Sequence, residues 1–355
     1  MKIAYIIPKP AFKGPIMVVH DLVVQMQAHG HQCVVYAFEF GSEVSFPCPV
    51  EYISFYKSID FDAYDIVHTH CFRPDLYGFL HKPKKCRAKL ITTMHNYILR
   101  DLAYEYNSLI ACTMGRFWIG CLSRFDWVVT LSHDAQTYYH AYLPDSNLCY
   151  VYNTRDLRDL NLSGEDVSAE ERDLILDFKG SDKLIGVNAV LTDRKGIDQL
   201  ISVLPRMAGY KLLIVGDGKS RSSLEKLSID LQVQERVMFW GYRKNAYRFL
   251  PYYDFFAMTS RSEGFGLTIL EAALYRKKLI CSDIPIFREL LPGNEACFFS
   301  LENLDALLNA FKQAEKDSLM GDRLFERYQH AFSPICFYNN YLAVYQMIIK
   351  EDGRS

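Results

Sequence analysis

The chain has 355 residues, 50% of them hydrophobic, with 40 Lys and Arg against 42 Asp and Glu and a formal net charge of −2. A charge so near zero excludes bulk nucleic-acid binding as the general activity, and the hydrophobic content excludes disorder as the general state. The length suits two domains of about 150 residues each.

Ten cysteines are scattered without a C-x-x-C pair, which is typical of reduced thiols in a cytosolic protein. The N-terminal apolar run is short and is interrupted by Pro8 and Pro10, so a signal peptide is not expected. No run approaches the roughly 18 apolar residues that a spanning helix needs. We therefore predict a cytoplasmic protein.

The first half of the chain alternates apolar runs with segments of helical spacing. Strands are predicted at residues 2–7, 33–38, 50–55, 66–70, 90–94, 127–132 and 149–153, and helices at residues 16–28, 97–122 and 133–142. The strand–helix–strand opening predicts a doubly wound parallel α/β sheet, which binds ligands at the carboxyl ends of its strands. Gly14 lies in the loop at such an end.

Residues 155–182 are rich in charge and lose the apolar pattern ahead of a short helix at residues 169–178. This stretch is the predicted linker, with one domain at residues 1–165 and another at residues 166–333. The alternation of strands and helices then starts again. Further strands are predicted at residues 183–190, 210–215, 236–242, 255–258, 278–283 and 298–300, and further helices at residues 197–206, 284–291, 303–328 and 337–349.

Two polar patterns in the first half have a metal-binding alternative. The D-x-D at residues 60–62 has the spacing of some metal-dependent transferases, but no apolar strand precedes it, so a polar turn is favoured. His68, His70 and His95 stand at predicted strand ends and would form a zinc site without a supporting cysteine or carboxylate. We favour histidines that are satisfied in the core or that line a ligand site.

Two further segments leave partner contacts open. Residues 81–89 (HKPKKCRAK) are strongly basic and are predicted to form a solvated loop, with contact to anionic lipid or a phosphate-bearing acceptor as the alternative. The aromatic segment at residues 97–122 is predicted to pack in the core, with contact to a membrane or an acceptor as the alternative. A peripheral position at the inner face of the cell membrane therefore stays open.

The most informative stretch is residues 259–274 (TSRSEGFGLTILEAAL), where an apolar strand leads through a turn with Gly264 and Gly266 into a helix. Such a unit offers free N–H groups and the positive end of the helix dipole to an anion. Glu263 and Glu271 bracket the turn, and carboxylates accept hydrogen bonds from sugar hydroxyls. The stretch therefore suits a ligand with both phosphates and hydroxyls, and a nucleotide-sugar has this combination of groups.

A second candidate anion site follows the predicted strand at residues 183–190. Arg194 and Lys195 come directly before Gly196 and the start of a helix. Adjacent cations at a strand end can neutralise a diphosphate, because arginine offers a fork of donors and lysine a point charge.

The pattern of Glu263 and Glu271 with Gly264-Phe265-Gly266 between them resembles the donor-site motif of family 4 glycosyltransferases of the GT-B fold. The resemblance spans most of the chain and is densest at residues 194–196 and 260–273. It implies two Rossmann-like, doubly wound domains that face each other across a cleft. It also implies a helix at residues 334–350 that packs back on the first domain, and retaining transfer without a metal or a cofactor.

The resemblance assigns a role to individual residues. Arg194 and Lys195 bind the diphosphate of the donor and help it to leave. Glu263 holds sugar hydroxyls, Glu271 binds the ribose, and His95 contacts the transferred sugar. The other implied donor contacts are Gly14, Gly216, Tyr242, Gly264, Phe265, Gly266 and Leu267.

Three of these positions need comment. Gly216-Asp217-Gly218 is compatible with a dinucleotide site, but Arg221 occupies the third glycine position of G-x-G-x-x-G, so a cleft wall is favoured. Tyr242 either stacks on the nucleotide base or packs against the fold. Where the family has a glycine pair in the first loop, this chain has Gly14-Pro15.

We therefore expect a retaining hexosyltransferase with a nucleotide-diphospho-sugar donor, UDP-sugar being favoured. The expected acceptor is a glycan or a lipid-linked molecule in surface polysaccharide synthesis, of which lipopolysaccharide is an example. A GT-B sugar-nucleotide epimerase and a non-catalytic nucleotide-sugar-binding protein are the alternatives. An NAD-dependent oxidoreductase is least favoured.

Overall fold

The computed structural model of the protein describes residues 1–157 and 167–351. The chain divides into two compact units, Met1–Arg155 with Phe332–Ser355, and Asp156–Ala331. The boundary predicted between residues 165 and 166 lies outside the described residues.

Each unit is built on one sheet. The strands of the first unit are β1 (Lys2–Ile7), β2 (Gln32–Ala37), β3 (Val50–Tyr52), β4 (Ile66–His70), β5 (Lys89–Met94), β6 (Trp127–Thr130) and β7 (Leu148–Tyr150). Those of the second unit are β8 (Lys183–Asn188), β9 (Tyr210–Val215), β10 (Val237–Gly241), β11 (Phe255–Met258), β12 (Lys278–Ser282) and β13 (Cys297–Phe299). The predictions at residues 50–55 and 149–153 are too long, because β3 and β7 end earlier.

The helices follow the strands in alternation. In the first unit they are α1 (Gly14–Ala28), α2 (Phe72–His81), α3 (Ile98–Glu105), α4 (Ser108–Ile110), α5 (Arg116–Cys121) and α6 (His133–His140). In the second unit they are α7 (Ala169–Lys179), α8 (Ile197–Val203), α9 (Arg221–Asp230), α10 (Leu267–Leu274), α11 (Pro285–Leu290), α12 (Leu304–Lys316) and α13 (Met320–Ala331). The last helix, α14 (Pro334–Glu351), lies in the part of the chain that returns to the first unit.

The strand orders are β3-β2-β1-β4-β5-β6-β7 and β10-β9-β8-β11-β12-β13, and the strand pairings are parallel. The first strand of each unit therefore lies inside its sheet, as in a doubly wound fold. A strand covered on both faces needs a continuous apolar run, which β1 provides with Ile3 to Ile7, all fully buried. In the second unit the carboxyl ends of β8 and β11 lie side by side.

The segment predicted as one helix at residues 97–122 is broken, so that prediction is wrong. The helix α3 ends where Tyr106 leaves the helical region, at φ −119° and ψ −86°. The side chain of Asn107 then accepts a hydrogen bond from the N–H of Ile110 and caps α4. An asparagine at an N-cap starts a new helix instead of continuing the old one.

The segment predicted to be helical at residues 303–328 is helical apart from a short turn. The segment contains α12 and α13, which are separated by a turn at Asp317. The backbone of Asp317 is extended, and its side chain accepts a hydrogen bond from the N–H of Leu319 at 3.2 Å. Such a local side-chain bond competes with the helical backbone bond.

The helix α14 packs on the first unit and buries its tyrosines there. The hydroxyl of Tyr345 lies 2.7 Å from Nδ1 of His68, and the hydroxyl of Tyr341 lies 2.9 Å from the hydroxyl of Thr93. These bonds satisfy polar groups that β4 and β5 bring into the core. Among the helices of residues 1–157 and 167–351, none combines the length and apolar character needed to cross a bilayer.

The carboxyl group of Asp75, in α2, is buried against β4 and β5 of the first unit. The hydroxyls of Thr69 and Thr92 donate to its Oδ1 at 2.5 and 2.7 Å, and the indole N–H of Trp118 donates to its Oδ2 at 2.8 Å. Burial raises the pKa of Asp75 to about 6, and the three hydrogen bonds offset this rise only in part. The group titrates in a pH range where unfolded aspartate is already ionised.

We expect Asp75 to make the stability of the first unit depend on pH. Its folded pKa of about 6 exceeds the unfolded value of roughly 3.9, so the folded state binds the proton more tightly. The resulting stabilisation is full below about pH 4 and is lost as the pH rises through about 6, a change of about 3 kcal/mol. The variant Asp75→Asn should flatten the free energy of unfolding between these pH values, as measured by urea titration. If the free energy of unfolding changed equally with pH in the wild type and in Asp75→Asn, this prediction would be contradicted.

Candidate active site

The two predicted anion-binding turns meet at one edge of the second sheet. After β8 the chain forms a short 3-10 turn, Asp193–Lys195, and after β11 it forms the loop that leads to α10. Because β8 and β11 are parallel neighbours, their carboxyl ends adjoin. Residues that lie 68 positions apart in the chain are thereby brought into contact.

Gly196 allows the two turns to approach closely. It ends the first turn and begins α8 in the left-handed conformation, at φ 61° and ψ 26°. A Cβ atom at this position would lie 2.1 Å from the carbonyl oxygen of Thr259. The N–H of Arg261 donates to the carbonyl oxygen of Arg194 at 2.8 Å, and the Thr259 hydroxyl donates to that of Lys195 at 3.1 Å. Only glycine permits both this conformation and this contact.

Arg194, Lys195 and Glu263 form one ion-pair cluster. The ammonium group of Lys195 donates to Oε1 of Glu263, and Nη1 of Arg194 lies 3.5 Å from Oε2. The hydroxyl of Ser260 also donates to Oε1, at 2.8 Å. Nη1 of Arg194 donates to the carbonyl oxygen of Ser262 at 3.0 Å, which fixes the guanidinium beside the carboxylate.

The carboxyl group of Glu263 is ionised although it is only 6% exposed. Burial raises its pKa, but the charges of Lys195 and Arg194, together with the hydrogen bonds from Lys195 and Ser260, outweigh burial and leave the pKa below its ordinary value. Two cations share one carboxylate, so the cluster keeps one positive charge. The side chains of Arg194 and Lys195 are 27% and 18% exposed, and an anionic ligand can therefore reach them.

The glycine-rich turn ends at the N-terminus of α10. Gly266 is in the left-handed region, at φ 91° and ψ 61°, and no side chain of the described residues caps the helix there. The N–H of Ile269 donates to the carbonyl oxygen of Gly266 at 2.9 Å, so the N–H groups of Leu267 and Thr268 are the ones that an anion can use at this helix start. Gly264 and Phe265 are buried behind the turn, and Glu271 is partly buried in the second turn of the helix.

The other predicted donor contacts of the second unit follow β9 and β10. The N–H of Gly216 donates to the carbonyl oxygen of Gly241 at 2.9 Å. A Cβ at Gly216 would lie 1.8 Å from the carbonyl oxygen of Ala189, so this glycine allows the loops after β8 and β9 to pack. Tyr242 comes directly after Gly241 and is 60% exposed, so its ring does not pack in the core.

Two predicted site residues belong to the first unit. Gly14 is predicted in the loop after β1, but it is the exposed first residue of α1, which follows that loop. His95 follows β5 and is partly buried, and its Nε2 lies 2.9 Å from Nδ1 of His70, the last residue of β4. Both residues lie at carboxyl ends of strands, where doubly wound sheets bind ligands.

The metal-binding alternatives do not fit the contacts of these residues. Both ring nitrogens of His68 are hydrogen-bonded, to Tyr345 and Thr93, and His70 and His95 bind each other. In the D-x-D segment, Asp60 accepts a hydrogen bond from the N–H of Asp62 and caps a short 3-10 helix. Within residues 1–157 and 167–351, no three histidine, cysteine or acidic side chains are grouped so that they could hold a metal.

Arg261 is a site residue that sequence patterns did not indicate. Its guanidinium donates to Asp198 through two bonds of 2.9 and 2.7 Å, to Glu302 at 2.6 Å and to the carbonyl oxygen of Asp193 at 2.6 Å. It thus pins the Arg194 turn to the loop that carries Glu263. Its main partner is 63 residues away, so no local spacing could reveal the pair.

Two buried polar side chains support the same loop. The amide of Gln199 donates to the carbonyl oxygen of Thr259 at 3.1 Å and accepts from the N–H of Glu302 at 2.8 Å. The hydroxyl of Ser282 donates to the carbonyl oxygen of Ser260 at 2.6 Å. The loop conformation is therefore fixed by contacts on both sides.

We expect Arg261→Ala to lower kcat/KM by about 10- to 100-fold, because loosening the pinned turn displaces Arg194 and Lys195. Arg261→Lys should not restore activity, since one ammonium group cannot make the forked contact with Asp198. Steady-state kinetics with the expected nucleotide-sugar measure both variants. Arg206→Ala is the matched control, because Arg206 also pairs with an acid of its unit, Asp305, on the surface and before the start of β9. Equal losses in Arg261→Ala and Arg206→Ala would contradict the pinning role.

Two family descriptions match the chain. Glycosyltransferase Family 4 matches residues 13–159, and Glycosyl transferases group 1 matches residues 169–330. Among curated relatives, the Escherichia coli protein named O-antigen biosynthesis glycosyltransferase WclY is 31% identical over 359 residues, which cover 99% of this chain and 99% of the relative. The match therefore extends over both units.

Solved structures are similar in fold. HepE of Anabaena, in complex with UDP and glucose, has a TM-score of 0.80 and 18% identity, and the match covers 98% of this chain and 100% of that one. Sucrose-phosphate synthase of Thermosynechococcus elongatus has a TM-score of 0.80 and 16% identity, with 99% of each chain covered. At such identities the likeness concerns the fold alone.

Proposed function

The chain belongs to the GT-B glycosyltransferases of family 4 and group 1, and from this premise we propose the reaction that it catalyses. It transfers a hexose from a nucleotide-diphospho-sugar, with UDP favoured, to a glycan or lipid-linked acceptor with retention of the anomeric configuration. The bond between the anomeric carbon and the diphosphate breaks, and a bond to an acceptor hydroxyl forms. The products are the nucleoside diphosphate, the glycoside and a proton.

One observation supports this proposal most strongly. The Arg194–Lys195–Glu263 cluster keeps one positive charge and joins the turn after β8 to the loop before α10, whose N-terminus no described side chain caps. Fixed cations and backbone N–H groups bind a diphosphate without reorganisation. Because negative charge grows on the diphosphate as it leaves, these groups stabilise the transition state more than the ground state.

The remaining roles follow from the chemistry of the side chains. Glu263 holds Arg194 and Lys195 in place and accepts hydrogen bonds from sugar hydroxyls with its remaining lone pairs. Glu271 accepts from the ribose hydroxyls, and the exposed ring of Tyr242 stacks on the base. His95 contacts the transferred sugar. Gly14, Gly216, Gly264, Phe265, Gly266 and Leu267 supply backbone contacts or shape.

The biological setting is proposed from the relative. The Escherichia coli protein carries the name of an O-antigen biosynthesis enzyme and matches the whole chain. We place this protein in the same kind of process, the building of a cell-surface polysaccharide. Its acceptor then carries a sugar hydroxyl, either on a free glycan or on a lipid-linked one.

A panel of sugar nucleotides tests the reaction. UDP-glucose, UDP-galactose, UDP-N-acetylglucosamine, GDP-mannose and ADP-glucose are added singly in a thermal-shift assay, where the true donor raises the melting temperature by mass action. That donor is then incubated with polyprenyl-diphosphate sugars, and the anomeric configuration of the product is read by NMR. An inverted product would refute retention, and a panel without any shift would refute donor binding.

The same panel separates the two rival functions. A sugar-nucleotide epimerase would convert the donor to an epimer when no acceptor is present. A binding protein without activity would be stabilised by UDP or GDP but would release neither from a sugar nucleotide. We expect nucleoside diphosphate release that depends on an acceptor.

A peripheral membrane contact is proposed for the region that holds α3 and α5. Its outward side chains are large, apolar and exposed, with Leu109 at 72% and Phe117 at 49%, while Trp118 packs inside. Rings and aliphatic chains of this kind enter the boundary between headgroups and acyl chains. Sedimentation with anionic phospholipid vesicles should be weakened by Leu109→Ser and Phe117→Ser. It should not be weakened by Leu174→Ser, a control of 57% exposure in the second unit.

A further inference from the structure

His70 and His95 form a pair at the ends of neighbouring strands. Nδ1 of His70 lies 2.9 Å from Nε2 of His95. The side chain of His70 is fully buried, and its other nitrogen, Nε2, has no hydrogen-bond partner in the described part of the chain. Nε2 of His70, in the ring that contacts the candidate catalytic residue His95, therefore has no partner among the described residues. It takes no part in the Arg194–Lys195–Glu263 cluster.

The His70 ring is held in place by its neighbours. The ring of His68 lies 4.3 Å away between centroids, and the ring of Tyr5 lies 6.4 Å away. The His68 ring is itself fixed, because both its nitrogens are hydrogen-bonded, at 2.7 Å to the hydroxyl of Tyr345 and at 2.9 Å to that of Thr93. His70 can therefore present a fixed nitrogen to His95.

All three imidazoles are neutral near neutral pH. Burial lowers the pKa of His68 and of His95 to about 3, and burial lowers the pKa of His70 well below its ordinary value. A neutral imidazole has one N–H and one lone pair. In the pair, one ring must therefore donate and the other must accept.

The leftover nitrogen decides between the two arrangements. If His95 donated from Nε2, His70 would carry its proton on its own Nε2, as a buried N–H without an acceptor. If His70 donates from Nδ1, its Nε2 is only an unused acceptor. Buried N–H groups without partners are rarer than unused acceptors. His70 is therefore the donor, and His95 carries its proton on Nδ1.

We propose that His70 is a positioning residue that holds His95 in the Nδ1–H form, so that His95 offers a hydrogen-bond donor to the sugar nucleotide. This inference rests on the proposed function only for the identity of that ligand. With its Nε2 lone pair occupied, His95 donates to an oxygen of the donor and does not remove a proton from the acceptor. The role of His95 is then one of binding and orientation.

Nitrogen NMR of the protein without substrate tests the tautomer directly. Histidine labelled with ¹⁵N in the ring distinguishes Nδ1–H from Nε2–H by chemical shift, and His95→Ala identifies the signals of His95. We expect Nδ1–H in the wild type. His70→Leu should move His95 toward Nε2–H, the form that free imidazole side chains prefer. In His70→Asn, the side-chain amide N–H replaces the Nδ1–H donor of His70, so this variant should restore the Nδ1–H form of His95. Nε2–H in the wild type, or no change in His70→Leu, would overturn the proposal.

Kinetics with the sugar nucleotide that gives product in the panel above test the consequence. We expect His70→Leu to lower kcat/KM by about 10- to 100-fold through misplacement of His95, and His70→Asn to recover most of this loss. On a His95→Ala background, His70→Leu should cause no further loss. An equal loss on both backgrounds would show a merely structural role. Because NMR needs no substrate, failure of the proposed reaction and failure of the tautomer assignment give different results.

Discussion

Replacing Lys195 with alanine will lower kcat for sugar transfer by about 10²- to 10³-fold, the usual loss when one group that stabilises growing negative charge is removed. The ammonium group of Lys195 is bonded to Glu263 and is accessible at the edge of the sheet. The chain should still fold, because Arg194 and Ser260 continue to neutralise and bind the buried carboxylate. Steady-state kinetics and a thermal melt measure the two effects separately.

The variants Glu263→Ala and Glu263→Gln should lose activity to a similar degree for a different reason. Without the carboxylate, Arg194 and Lys195 repel each other and leave their fixed positions. Glutamine keeps an acceptor for Ser260 but not the charge, so it should not restore activity. Near-normal turnover in Glu263→Gln would show that the charge of Glu263 is not needed.

Lys183→Ala is the matched control for these changes. Lys183 begins β8 at the amino end of the strand and forms an ion pair with Glu315 on the surface. Lys195 follows the carboxyl end of the same strand. Surface ion pairs contribute about 0–1 kcal/mol to stability, so Lys183→Ala should keep normal turnover. If Lys183→Ala lost as much turnover as Lys195→Ala, the location of Lys195 after the carboxyl end of β8 would not explain its effect on catalysis.

Replacing Gly196 with alanine will reduce both activity and stability. The left-handed conformation alone costs an alanine about 1–3 kcal/mol. The added Cβ would also meet the Thr259 carbonyl oxygen at 2.1 Å, and backbone cannot yield as a flexible side chain does. The turn must shift, and a displacement of about 1 Å at Lys195 costs about 10²-fold in rate. Urea unfolding and kcat/KM measure the two losses.

The variant Gly209→Ala separates the effect of the left-handed backbone conformation from the effect of a clash between the added Cβ and neighbouring backbone. Gly209 is in the same unit, with φ 73°, but the nearest atom to an added Cβ is Oδ1 of Asp182 at 3.9 Å. This variant should lose stability through its conformation and keep its kcat/KM. If Gly196→Ala were as active as Gly209→Ala, the close approach of the two turns would have no role in catalysis.

The predicted GT-B fold and glycosyltransferase family are confirmed, and the reason lies in local patterns. Buried parallel strands such as β1 are continuous apolar runs, and they can be seen without any knowledge of their partners. The helix breaks at Asn107 and Asp317 escaped notice because single polar side chains decided them. Apolar spacing alone does not show whether such a residue caps a helix or lies on its surface.

The candidate site was only partly predictable. Arg194, Lys195 and Glu263 could be singled out from two short motifs, and the structure places them in contact. Arg261 could not be singled out, and His70 stood out only as one of three histidines at strand ends, because the roles of both depend on partners on other strands and loops. The functional roles of all these residues stay predictions until variants are measured.

Calorimetric titration of UDP and uridine into the wild type and Lys195→Ala tests the central claim most directly, because the two ligands differ only in the diphosphate. A hydrogen bond to a charged group contributes about 1.5–3 kcal/mol, so UDP should bind the wild type at least about 10-fold more tightly than uridine. In Lys195→Ala this preference should fall by a similar factor, while uridine binding stays unchanged. Equal affinity of UDP for the wild type and Lys195→Ala would contradict the claim that this cluster holds the diphosphate.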